Sequence, residues 1–205
     1  MQPPPPGPVA LLLAAGAGRR LGLGPKALLP YRGRPLVEHA LGVLRAGGCA
    51  RAVVVLGAGA AEVAARADLG GCTVVRNPDW ASGMGSSLRA GLAALDSVAP
   101  GAPAALVGLV DTPGVTPAAV ARLLDAQRAG AELAAAAYGG RRGHPVLIGA
   151  RYWAEAAAGA VGDAGARELL RAHAAELALV ECGDVAVPDD VDTAEAWAAW
   201  SGARP

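Results

Sequence analysis

The sequence predicts an α/β fold, a three-layer, doubly wound domain on a mostly parallel sheet. Two observations predict it. Short apolar runs alternate with helical patterns from Val9 onward, and four of those runs are continuously apolar rather than alternating. Strands that are apolar on both sides suit a parallel sheet covered on both faces, with the intervening helices as right-handed crossovers. In such a sheet a ligand is expected beyond the carboxyl ends of the strands.

Met1 to Pro8 is a Pro-rich tail that cannot enter a ladder or a helix and is expected to be disordered or weakly extended. Residues 9–205 are expected to form one domain, since a chain of 205 residues fits a single core. The first strand is Val9 to Ala14, followed by a helix from about Pro35 to Ala46. Strand Ala52 to Leu56, helix Ala60 to Ala67, strand Cys72 to Val75, helix Gly85 to Leu95 and strand Ala104 to Val110 come next. The second half begins with helix Pro117 to Arg128, then strands near Leu133 to Ala137 and Val146 to Ile148. Helices near Arg151 and Ala164, strand Leu177 to Cys182 and a helix from Thr193 finish it. The Gly- and Arg-rich stretch Tyr138 to Gly143 reads as a turn into a less regular lobe that would hold a second substrate.

Composition narrows the function classes. The residues are 53% hydrophobic but only 3% aromatic, with no Phe, so the core must be built from Leu, Val and Ala. Lys plus Arg equals Asp plus Glu at 18 each, so no global field favours nucleic acid or an anionic membrane surface, and any polyanion must be bound locally. Cys49, Cys72 and Cys182 are odd in number and form no CxxC pair, which argues against a disulfide framework and a zinc site and for reduced thiols in the cytoplasm. The apolar run Val9 to Ala15 has its charges, Arg19 and Arg20, after it, whereas a secretory signal has them first. No apolar stretch approaches the ~20 residues that cross a bilayer, so a soluble protein is expected.

Between Ala14 and Lys26 one connection holds four glycines, two arginines and a lysine. Glycine lets backbone N–H groups approach phosphate oxygens, and the cations balance their charge, so the loop suits a polyphosphate. It is not a dinucleotide fingerprint: Gly18 and Gly22 are separated by three residues, and the second strand ends at Leu56-Gly57 without a ribose-binding acid. That spacing disfavours a nicotinamide oxidoreductase. Nor is it a Walker loop, because Lys26 lies between Pro25 and Ala27 and no hydroxyl follows it.

Leu13-Ala14-Ala15-Gly16-x-Gly18-x-Arg20-Leu21-Gly22, followed by Pro25-Lys26-x-Leu28-Leu29-Pro30 and Gly33-x-Pro35-Leu36, resembles the signature of MobA-like nucleotidyltransferases. The resemblance runs from Val9 to about Trp197 and is closest to the molybdenum cofactor cytidylyltransferases. It implies a nucleotide-diphospho-sugar transferase-like variant of the Rossmann fold and a magnesium-dependent transfer of CMP from CTP to molybdopterin, releasing pyrophosphate. A molybdenum enzyme would receive the product.

The resemblance also implies site residues. Leu13, Ala14, Ala15, Gly16, Gly18, Arg20 and Lys26 would bind the nucleotide, joined by Gly83, Ser86 and Ser87 at a polar turn entering a helix. Ser86 and Ser87 would offer hydroxyls to a pyrimidine or ribose, or simply cap the helix. Arg20, Lys26 and Asp111 would carry catalysis. Asp111, in Val110-Asp111-Thr112-Pro113, either ligates Mg2+ or opens the turn before Pro113, and the family pattern favours the ligand. Asp190 is the candidate second metal ligand, while Asp192 and Glu195 form a capping-box pattern before the last helix. His144, in Gly143-His144-Pro145 ahead of a strand, and Asp163, in Gly162-Asp163-x-Gly165-Ala166-Arg167, would face the acceptor, although Asp163 also suits a cap on its own helix. Trp80 either stacks on a ring or covers a core edge. Ala15 points to the cytidylyl subgroup, whereas Asp-Thr-Pro departs from its Asp-Gln-Pro. A sugar phosphate acceptor, or a non-catalytic cofactor carrier, is therefore the alternative.

Overall fold

The structure, a computed structural model, describes residues 6–202. Most of the Pro-rich tail expected to be disordered lies outside the described residues.

The chain opens with β1 (Val9–Ala14), then forms a small antiparallel pair, β2 (Pro30–Tyr31) and β3 (Arg34–Pro35), before α1 (Leu36–Ala46). β4 (Ala52–Leu56), α2 (Ala60–Arg66), β5 (Thr73–Arg76), α3 (Met84–Val98) and β6 (Ala104–Leu109) complete the first half. α4 (Pro117–Arg128), β7 (Leu133–Tyr138), β8 (Arg141–Gly149), α5 (Trp153–Gly159), α6 (Arg167–Ala172), β9 (Ala178–Glu181) and α7 (Ala194–Gly202) form the second.

Seven strands make one sheet in the order β5-β4-β1-β6-β8-β7-β9. All are mutually parallel except β8, which runs against both β6 and β7. The cause is local. β7 and β8 are joined by Gly139 and Gly140 alone, both at positive φ (59° and 76°), the pairing of a two-residue hairpin turn. Two residues cannot cross over a sheet, so β8 must turn back and slot between β6 and β7. The less regular lobe expected after Tyr138 is therefore this hairpin, and Gly143, His144 and Pro145 lie within β8 rather than ahead of a strand.

β1 shows how the three layers form. Ala10, Leu12 and Ala14 belong to the apolar cluster shared with α1, α2, α4 and Trp197 of α7, whereas Val9, Leu11 and Leu13 belong to the cluster shared with α3, α5 and α6. A strand buried on both faces must be apolar at every position, and β1 is. A core without Phe closes by bringing elements together. At Gly91 on α3 an added Cβ would stand 2.5 Å from Leu11 Cδ1, so only glycine lets that helix sit so close to β1. The expectation for Cys72 to Val75 is corrected: the strand is Thr73–Arg76 at the sheet edge, with no fully buried residue. Its apolar run mimicked a central strand, but it has a neighbour on one side only.

α5 and the connection from α6 to β9 are tied by His173, whose Nε2 meets Glu155 and whose Nδ1 meets Glu176, each at 2.9 Å. A neutral imidazole has one N–H, so two carboxylates on opposite nitrogens favour the doubly protonated ring. Hydrogen bonds to Glu176 and then Glu155 raise the His173 pKa above its ordinary 6.5. A raised pKa means that the stabilisation is complete below the unfolded value and is lost as pH climbs through the folded one. His173→Gln is thus expected to lower the melting temperature more at pH 6 than at pH 8.5. Equal losses at both would show that the charge contributes nothing.

Among the described residues no helix is long and apolar enough to cross a membrane. β1 has β4 and then β5 on one side and β6 on the other, so the winding direction reverses there. The connections after β1 and β6 flank a crevice at their carboxyl ends.

Candidate functional site

The glycine-rich connection folds back on itself at this crevice. Lys26 N–H donates to Gly16 C=O at 3.2 Å, and Leu21 and Gly22 N–H both donate to Gly18 C=O at 3.0 Å. Gly18 has φ 61°, and a Cβ there would run into the Gly24 carbonyl oxygen, so no other residue fits. A short 3-10 turn, Lys26–Leu28, ends the loop and seats Ala27 in the core. The cleft enclosed has a volume of about 570 Å³ and is lined by Leu13, Ala15, Gly16, Gly18, Arg20 and Lys26 from this side. Clefts of this size commonly hold a small-molecule cofactor or substrate. Ala14 belongs to the core, so any nucleotide contact from it must come from backbone.

At the centre stands Lys26. Its Nζ donates to Asp111 Oδ2 at 2.6 Å and also to Asp192 Oδ1. Arg20, largely exposed, reaches Asp192 Oδ2 at 3.4 Å. Burial works against the ammonium, but Asp111 and then Asp192 outweigh it and hold the Lys26 pKa above its ordinary value. The hydrogen bond from Lys26 leads the causes that hold Asp192 below the usual carboxylate range. Two carboxylates from segments far apart in sequence therefore converge on one cation.

The sequence names Asp190 as the candidate second metal ligand. Asp190 lines the cleft wall, but it is Asp192 that meets Lys26. Val191 sets this arrangement: its side chain is fully buried, and its N–H donates to Asp111 C=O at 2.9 Å, stitching the approach to α7 onto the Asp111 turn. Asp192 is also not a cap, because Thr193 Oγ1 accepts from Ala196 N–H at 3.2 Å in its place. Among the described residues no three His, Cys, Asp or Glu form a metal-holding group. A hard cation held by two carboxylates needs no more protein ligands when phosphate oxygens and water complete its shell, and the Asp111–Asp192 pair already gathers a positive charge. The donor set fits.

The opposite wall differs from expectation in three places. Ser86 and Ser87 are buried, and both accept from Asn77 Nδ2, at 2.8 Å and 3.0 Å. Ser86 Oγ also lies 2.8 Å from Gly83 C=O and 3.0 Å from Asp79 C=O, so it braces the turn instead of facing a base; Ser87 lines the cleft. The amides at the start of α3 are taken rather than left free: Met84 N–H donates to Asp163 Oδ1 at 3.2 Å and Gly85 N–H to Gly162 C=O at 2.7 Å. Asp163 thus caps α3, not its own helix. Gly83 at φ 112° packs on Gly162, where a Cβ would meet backbone at 2.5 Å. Trp80 leans against Gly57 and carries Arg19 over its ring at 5.7 Å, covering a core edge while still lining the cleft. His144 is set back in an adjoining chamber. Sequence reasoning missed Asn77, whose signal was an amide in a turn just ahead of two serines.

Residues 10–177 match the family described as the MobA-like NTP transferase domain. The chain is 48% identical over 192 residues to the nicotine blue oxidoreductase of Paenarthrobacter nicotinovorans, covering 90% of this chain and 92% of that protein. Among solved structures, Rv0371c of Mycobacterium tuberculosis in complex with manganese is similar with a TM-score of 0.78 at 30% identity, covering 97% of this chain and 100% of that one. Molybdopterin-guanine dinucleotide biosynthesis protein A from Archaeoglobus fulgidus shares the fold, with a TM-score of 0.65 at 14% identity over 95% of this chain and 97% of that one.

Proposed function

The chain belongs to the MobA-like NTP transferase family, and from that premise we propose that it moves a nucleoside monophosphate from a nucleoside triphosphate onto a phosphorylated acceptor with a divalent cation. CTP is the favoured donor, molybdopterin the favoured acceptor and Mg2+ the favoured cation. The single observation that carries the reading is Lys26, at the end of the glycine loop, held between Asp111 and Asp192 in the cleft.

The acceptor phosphate oxygen attacks the α-phosphorus in line and pyrophosphate leaves, so no covalent enzyme intermediate is needed. Backbone amides of the Gly16–Gly18 segment approach the polyphosphate as only glycines allow, and Arg20 and Lys26 balance the charge that spreads over the phosphates. Asp111 and Asp192 would hold the cation, whose chemistry when bound is to neutralise phosphate oxygens and keep them aligned. Positioning and fixed charge thus supply the rate, with no side chain acting as a proton carrier. The manganese in the related Rv0371c structure supports a divalent ion, and the Leu-Ala-Ala-Gly motif ending β1 supports CTP.

A second reading comes from the relative named as an oxidoreductase, at 48% identity. It would place a reduced pyridine nucleotide in the same cleft. The loop spacing and the missing acid after β4 argue against it. A pyrophosphate-release screen of four nucleoside triphosphates against phosphorylated acceptors, run beside an NADPH absorbance titration, separates the two. Release with CTP and molybdopterin is expected. NADPH oxidation without pyrophosphate from any pair would overturn nucleotidyl transfer.

A further inference from the structure

The chain has four Trp, three Tyr and no Phe, and three of those seven rings, Tyr31, Trp197 and Trp200, meet in one cluster behind the charged centre. Tyr31 is buried, and its ring centroid lies 6.2 Å from that of Trp197 and 6.5 Å from that of Trp200, within the ~4.5–7 Å over which aromatic pairs attract. His39 of α1 meets the same ring at 4.6 Å. Tyr31 stands five residues after Lys26, and Trp197 five residues after Asp192. Trp200 packs on Gly114, three residues after Asp111, where an added Cβ would stand 2.9 Å from Trp200 Cη2. Each of the three charged residues thus leads within five residues to the same cluster. The three paths differ in stiffness. Leu29 N–H donates to Lys26 C=O at 3.1 Å, Leu36 N–H to Leu29 C=O at 2.8 Å, and Leu29 sits in the core, so the path from Lys26 to Tyr31 is fixed. Thr112 Oγ1 donates to Leu109 C=O at 2.9 Å and fixes the Asp111 turn to the end of β6. The approach to Asp192, between β9 and α7, has neither helix nor strand. Its Val187 and Val191 amides reach Gly114 C=O at 3.1 Å and Asp111 C=O at 2.9 Å, which ties it to the Asp111 turn but not to Lys26.

We propose that Tyr31 is a positioning residue for the transfer: its ring, packed on Trp197 and Trp200, holds Asp192 at Lys26 and so sets the spacing of the two acids that receive the cation. The assignment rests on the reading of Asp111 and Asp192 as cation ligands, and adds a residue that does not line the cleft. Groups behind a ligand fix its orientation, and an edge-on or tilted ring pair defines an angle as well as a distance, which an aliphatic side chain of similar size does not. The Tyr31 hydroxyl makes no hydrogen bond among the described residues, so the ring alone carries the role.

The test uses the full chain without acceptor, and its probe is the Mn2+ complex of a non-hydrolysable CTP analogue, followed by calorimetry. Tyr31→Leu should weaken binding of the complex about threefold to tenfold and leave the affinity for the metal-free analogue unchanged. Tyr31→Phe keeps the ring and should bind like the wild type. Tyr31→Leu combined with Asp192→Asn should bind no more weakly than Asp192→Asn alone, since a residue that acts through Asp192 then has no charge left to position. Without metal, the Val191 amide should exchange about tenfold faster in Tyr31→Leu than in the wild type or Tyr31→Phe. Trp197→Leu breaks the same contact from the other side and should repeat these losses; it decides alone if Tyr31→Leu does not fold. Unchanged binding or unchanged exchange in the leucine variants, or losses that add to that of Asp192→Asn, overturns the positioning role and leaves the nucleotidyl-transfer reading standing. Failure of the wild type to bind the metal complex overturns both.

Discussion

Replacing Lys26 with alanine is expected to slow nucleotidyl transfer by about 100-fold or more while the fold persists. A preorganised cation facing developing phosphate charge is worth ~2.7–4 kcal/mol of barrier, and Lys26 is held for that purpose by two carboxylates in a partly dry cleft. The loss should fall on kcat more than on nucleotide affinity, because the loop amides and Arg20 still grip the ground-state triphosphate. The same change has a second consequence. Lys26 now separates Asp111 from Asp192, and without the ammonium the two acids face one another unscreened. The variant should melt below the wild type, and added Mn2+ should raise its melting temperature more than it raises that of the wild type, since the ion restores the missing charge. Steady-state kinetics and circular dichroism melts with and without Mn2+ check both statements. Activity near normal would remove Lys26 from the mechanism.

How much of this was legible in the sequence depended on whether the cause was local. Val9–Ala14 and the run from Ala104 were readable as central strands because burial on both faces forces every position to be apolar. Cys72 to Val75 reads as a strand too, yet it lies exposed at the edge, and a short run does not reveal how many neighbours a strand has. β8 was readable only from Val146, since its first four residues, Arg141 to His144, are exposed or half-buried and break the apolar run. The glycine loop was legible in kind, because Gly at positive φ and clustered cations have few other uses. Which partner each polar group takes was not. Ser86 and Ser87 are bonded to an Asn nine and ten residues earlier, and Asp163 caps a helix some eighty residues before it in sequence. Such pairings are products of the assembled sheet, and no periodicity encodes them.

The choice between Asp190 and Asp192 is of that kind, and it sets the second large prediction. Asp111→Asn should raise the divalent cation concentration for half-maximal turnover by at least about tenfold and cut maximal turnover about 100-fold. Asparagine keeps the shape and the oxygen but loses the charge on which a hard cation depends. Asp192→Asn should move the same titration in the same direction by less, because Asp192 is more exposed than Asp111, at 35% against 20%, and water already shares its charge. Asp190→Asn should leave the titration where it was, as its carboxylate makes no contact with Lys26. Direct Mn2+ binding followed by electron paramagnetic resonance, without acceptor, separates loss of the ion from loss of chemistry. A shift with Asp190→Asn and none with Asp192→Asn would return the second ligand to Asp190, and would mean that the buried Val191 pivots when the cation arrives, exchanging one acid for the other at the cleft wall.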